Sequence, residues 1–250
     1  MVLEKIASVL CVVGMIVFVP LFLKAAWPEK TNKSLAIKML CASFFVLFAA
    51  LQMRIADNYS GFAVRMFWGF VASWVGDLFM HLRLKQKALA YALGVVSFFG
   101  AHVLFISGYA IAGRELLGIS LFNMPETLLF ALVFVCLIAF LLIKKFIKFT
   151  SFLPLLLVYG LAVFFMMVKA TGLGARLFID GQQPWFVFAL LALGGICFAT
   201  SDATLLLIDF AQPRHGKERP FHTKPLKAVN IWTYFIGQLL LACSIAFLRA

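Results

Sequence analysis

Acidic residues are scarce in this sequence, 10 aspartates and glutamates against 22 lysines and arginines in 250 residues. Four histidines and five cysteines are too scattered to form a ligand cluster, so neither a metal nor another cofactor is expected. The cysteines at 11, 41, 136, 197 and 243 include no C-x-x-C pair and fall within apolar runs, where they read as small core residues. No G-x-S-x-G elbow, H-E-x-x-H zinc pair, P-loop or G-x-G-x-x-G turn occurs. Those absences argue against an acyl-serine hydrolase, a metalloprotease and a nucleotide-driven pump.

Apolar surface is abundant instead. Hydrophobic residues make up 64% of the chain, charged residues only 13%, and the mean hydropathy is +1.03, far outside soluble globular values. About 20 apolar residues cross a hydrocarbon core, and the sequence offers eight such runs: 4–23, 35–53, 62–82, 88–111, 126–143, 151–169, 185–210 and 226–248. The expected fold is all-α, a polytopic membrane bundle of eight transmembrane helices forming one membrane domain over residues 1–250. The first run, Ile6 to Leu23, is too long for a signal-peptide core and is taken as span one.

The +12 net charge raises the question of nucleic acid, and its distribution answers it. The connections after spans one, three, five and seven hold 15 of the 22 basic residues: Lys24, Lys30, Lys33, Lys38; Arg83, Lys85, Lys87; Lys144, Lys145, Lys148; and Arg214, Lys217, Arg219, Lys224, Lys227. The positive-inside rule makes that face cytoplasmic and puts both termini outside. Membrane lipid is then the expected partner of the basic face, and no nucleic acid is needed. A bacterial inner membrane is the expected address. His215 and His222, in the polar loop 213–225, read as solvated residues.

Against this background two carboxylates stand out. Asp77, in SWVGDLFMH, and Asp202, in FATSDATLLL, lie inside apolar runs, where an ionisable side chain costs roughly 2.5–3.5 kcal/mol on insertion scales. They are 125 residues apart, half the chain, and each follows a small residue, Gly76 or Ser201. Gly69 and Gly194 show the same offset, so a parallel four-plus-four repeat is conceivable, with small residues letting spans three and seven approach each other. At about 1.5 Å per residue, Asp77 lies about 8 Å and Asp202 about 12–18 Å from the basic ends of their spans. Tyr159 and Tyr234 arrive near that level, Lys38 and Asn230 nearer the interface, and Gln238 and His102 deeper.

Each of these residues also has a plainer reading. Lys38 could snorkel to headgroups, His102 could bridge helices, the tyrosines could simply pack, and the aspartates could bond Ser73, Thr200 or Thr204. Asp57, Asp180, Glu115 and Glu126 read as solvated charge in outer connections. Two aspartates sharing a water-poor site cannot both ionise cheaply, which leaves one acid and one base. Such a pair suits cleavage of a bond whose transition state resembles an oxocarbenium ion. It would also serve a lipid-binding protein without chemistry, or a proton-coupled carrier, which the lack of paired Gly/Pro-broken spans disfavours.

Gly76-Asp77, then Y-x-x-G-x-x-x-F-x-x-x-H at 91–102, Tyr159 with Met166-Met167, G-x-x-x-F-x-x-S-D at 194–202 and Y-x-x-x-Q at 234–238 together form a pattern. In order and placement it resembles the YhhN-like lysoplasmalogenase family of eight-span membrane proteins, over about residues 35–240. Phe105 and Ala203 depart from the family pattern, which has Tyr and Ser there, and these changes bear on substrate details more than on the acid pair. The resemblance implies hydrolysis of the vinyl ether bond of a lysoplasmalogen, a lysophospholipid, with Asp77 and Asp202 as the catalytic pair. On that reading Lys38 faces the phosphate, and His102, Tyr159, Asn230, Tyr234 and Gln238 position water or glycerol oxygens.

Overall fold

The computed structural model of the protein describes residues 2–28, 31–143, 153–212 and 220–250. The basic stretch 144–148 and residues 213–219 of the polar loop, with His215, lie outside the described residues. Among these residues the long elements are all helices: α1 (Val2–Ala25), α2 (Asn32–Ile55), α3 (Gly61–Leu82), α4 (Leu89–Leu117), α5 (Met124–Ile143), α6 (Leu153–Ile179), α7 (Trp185–Phe210) and α8 (Lys224–Ser244). Seven are long and apolar enough to cross a membrane, and α5 is a 20-residue apolar helix besides. The protein is therefore a polytopic helical membrane bundle, as its composition implies.

The helix ends follow the local chemistry. At the start of α2, Thr31 Oγ1 accepts from the Ser34 amide at 3.1 Å while Ser34 Oγ accepts from the Thr31 amide at 2.8 Å, a reciprocal cap that satisfies two orphan donors. Ser60 and Thr223 cap α3 and α8 one way, accepting from the amides of Ala63 and Leu226, and α4 stops at Gly118, whose φ of 65° suits a residue without Cβ. Helical hydrogen bonding continues from α3 into α4, giving one run from Gly61 to Leu117, yet the chain doubles back. Gly69 faces Phe105, Gly76 faces Phe98 and Gly94 faces Met80, a register that only an antiparallel hairpin can produce.

Those glycines correct one expectation. They do not bring α3 against α7; among the described residues these two helices make no direct backbone approach. Gly69 and Gly76 instead admit the rings of α4, while Gly194 admits Leu241 of α8. Each aspartate-bearing helix is thus packed tightly on the helix that follows it. A second correction concerns the sixth run, expected to end at 169: α6 continues to Ile179. Lys169, where that run was expected to end, is paired with Glu126 of α5, and beyond it Gly174 is set against Phe188 of α7 and Arg176 is bonded to Glu126.

Candidate functional site

Asp77 and Asp202 each sit within a small cluster of polar side chains. The Asp77 carboxylate, whose side chain is 2% exposed, takes a 2.8 Å ion pair from Lys38 Nζ of α2 on one oxygen. The Tyr234 hydroxyl of α8 donates to the other oxygen at 2.8 Å. Asp202, with a side chain 10% exposed, accepts from the Tyr159 hydroxyl of α6 at 2.9 Å. The same oxygen lies 3.3 Å from His102 Nε2 of α4, which is 3.4 Å from the Tyr159 hydroxyl.

The two clusters correspond under a shift of four helices. Asp77 on α3 draws its partners from α2 and α8, and Asp202 on α7 draws its own from α6 and α4. This is the arrangement a four-plus-four repeat would produce, although the side chains differ. The carboxylates are close enough to interact electrostatically. Between them stand aromatic rings: Tyr234 meets Phe98 edge-on at 6.0 Å and Phe198 at 5.6 Å, and His102 meets Phe198 at 4.9 Å.

The clusters differ in access. A cavity of about 290 Å³ opens beside Asp202 and Tyr159, walled by apolar side chains of α3 to α7 that include Met80, Val95, Phe134, Leu156 and Phe210. Asp202 lines it; Asp77 does not. Its volume is near the lower end of the range for small-molecule sites, and its lining suits a hydrocarbon chain. A carboxylic acid at its wall would meet such a ligand with little competition from bulk water.

Several expectations from the sequence change here. Lys38 does not snorkel to headgroups: its ammonium is bound to Asp77. Asn230 is an interhelical tie, its amide donating to Ser201 O at 2.7 Å and Ser201 Oγ at 3.0 Å. The aspartates bond neither Ser73 nor Thr204, whose hydroxyl donates to Thr200 O. His81, one turn from Asp77, lies against Ser34 Oγ and the Thr31 carbonyl at 3.2 and 3.0 Å. Gln238 is fully buried, and its amide lies near the Tyr234 hydroxyl without reaching bonding geometry.

One charged group was missed. Glu126 is not solvated: its oxygens pair with Lys169 Nζ at 2.8 Å and Arg176 Nε at 2.9 Å, joining α5 to α6. Lys169 is only 5% exposed, and it sits in the run MMVKATG. The signal that singled out Asp77, a charge inside an apolar run, was present there too.

Among the described residues no group of three His, Cys, Asp or Glu side chains could hold a metal ion. The arrangement defines a helical membrane protein with two buried carboxylate clusters, one of them opening on an apolar cavity. A family model, the YhhN family, matches residues 33–245, and the chain belongs to that family. No curated protein and no solved structure matches it.

Proposed function

We propose that the protein hydrolyses the vinyl ether bond of a lysoplasmalogen, releasing a fatty aldehyde and a glycerophospho-head-group. The observation that carries this reading is the asymmetry of the two carboxylates: only Asp202 faces the apolar cavity, and only Asp77 is paired with a lysine. The chain of a single-tailed lipid lies in the cavity, and its vinyl ether reaches Asp202. Asp202 acts as the acid, giving its proton to the β-carbon of the double bond. The resulting oxocarbenium ion is stabilised by the carboxylate that Asp202 becomes on giving up its proton, while the charge of Asp77 is balanced by Lys38. Water adds to the cationic carbon, returning a proton to the enzyme, and the hemiacetal collapses to aldehyde and alcohol as the departing oxygen is protonated. Tyr159 and His102 hold the Asp202 carboxyl in place through the cycle. The basic end of the bundle faces the cytoplasm of a bacterial cell, with both termini on the other side of the inner membrane.

The test pairs a lysoplasmalogen with its saturated ether analogue, which has no double bond to protonate. Purified protein is expected to release aldehyde from the first alone, and Asp202→Asn to release none while keeping its thermal unfolding temperature. Aldehyde release by Asp202→Asn at the wild-type rate would overturn the assignment. Counterflow of intact lipid across liposomes without bond cleavage would replace it with a carrier.

A further inference from the structure

Four polar atoms near the carboxylates have no hydrogen-bond partner within the protein: Ser73 Oγ, His102 Nδ1 and both amide atoms of Gln238. All three residues are 0% exposed. Buried groups of this kind are nearly always satisfied, by protein or by an ordered water, because leaving one bare is costly. Three such residues from three helices at one site point to a shared ligand.

The helix register places them together. Gly69 faces Phe105 and Gly76 faces Phe98, so Ser73 and His102 fall opposite one another midway along the α3–α4 hairpin. Ser73 is one turn from Asp77 on the same face of α3, and Gln238 is one turn from Tyr234 on the same face of α8. The Tyr234 hydroxyl bonds Asp77, and α3 and α8 run in opposite directions. Both steps therefore lead to the same level, away from the basic end. The other nitrogen of His102 already faces Asp202.

We propose that Ser73, His102 and Gln238 bind an internal water between the two carboxylate clusters. Its contacts would be the Ser73 hydroxyl, His102 Nδ1 and the Gln238 amide, which matches the three or so bonds a buried water ordinarily makes. Resting on the hydrolase reading, this water is the nucleophile. Its oxygen bonds to the oxocarbenium carbon, its released proton passes to His102 Nδ1, and the Nε2 proton passes to Asp202, restoring the acid consumed in the first step. In hemiacetal collapse the shuttle runs in the opposite sense. Nδ1–H protonates the departing glycerol oxygen, Asp202 reprotonates Nε2, and the hemiacetal hydroxyl proton returns to Asp202, so the cycle closes.

X-ray radiolytic labelling of the whole protein in H2¹⁸O, in which hydroxyl radicals form from bound waters where they lie, tests the site directly. Tyr234 and Phe198, both buried, are expected to carry ¹⁸O in the wild type and to lose it in Ser73→Ala/Gln238→Leu. Unlabelled rings in the wild type would overturn the water site, whatever the enzyme does. On lysoplasmalogen, Gln238→Leu is expected to lower kcat about 10²-fold with KM unchanged. A Gln238→Leu kcat equal to that of wild type would remove the nucleophile role. Labelled rings in a protein that releases no aldehyde would support the water site and reject the hydrolase reading.

Discussion

Replacing Lys38 by methionine keeps the unbranched stem as far as the ε position and removes the ammonium. The ammonium it deletes lies 2.8 Å from Asp77 Oδ1, and the aspartate side chain is 2% exposed, so the carboxylate is left buried with the Tyr234 bond on its other oxygen. Breaking a buried pair from one side costs about 3–5 kcal/mol, or roughly 6–20 °C in unfolding temperature on soluble-protein scaling for a chain of this size. The reverse deletion, Asp77→Asn, is expected to cost less, about 1–2 kcal/mol. Lys38 lies close to the start of α2 at Asn32, about 9 Å along the axis, so its freed ammonium can extend to the basic end of the bundle. The double variant Lys38→Met/Asp77→Asn removes both charges and is expected within about 1 kcal/mol of wild type. Thermal unfolding in one detergent, followed by circular dichroism, measures all three. Equal costs for the two single variants, or a double variant no better than Lys38→Met, would refute the reasoning. The double variant is also expected to lose aldehyde release while regaining stability, which separates the pair's part in chemistry from its part in folding.

Two further perturbations probe the scaffold. Gly69→Ala would place a Cβ 2.3 Å from Phe105 Cε1, and that ring is held by Phe70 and Phe198 at 5.1 and 6.1 Å; a loss of about 1–3 kcal/mol is expected, and unchanged thermal unfolding would show that the ring can move. Glu126→Gln leaves the 5% exposed Lys169 with its charge unmatched and is expected to cost about 3 kcal/mol by the same assay; adding Lys169→Met is expected to restore most of it.

The helices were legible because 20-residue apolar runs admit few alternatives, and the positions of Asp77 and Asp202 were legible because charge is costly there. What the sequence could not supply was partner choice. Nothing local to Lys38 distinguishes a headgroup contact from a bond to Asp77, since that depends on how α2 is rotated against α3. Asn230 sits one turn from Tyr234 on α8, and helical spacing alone does not separate a tie to Ser201 from a residue of the site. The end of α6 was misplaced because a lysine at 169 reads as the end of an apolar run until its partner Glu126 is seen. The glycines were read correctly as contact points but assigned to the wrong neighbour, because a small residue announces close approach without naming what approaches.

Each carboxylate takes one partner from its own half of the chain and one from the other: Lys38 and Tyr234 for Asp77, Tyr159 and His102 for Asp202. The two carboxylate clusters therefore lie on the seam between the halves and belong to neither. Expressed separately, the first four helices would carry an aspartate without its tyrosine, and the last four an aspartate without its histidine. Both clusters are then a property of the union, and a strain that pries the halves apart would break each of them at once.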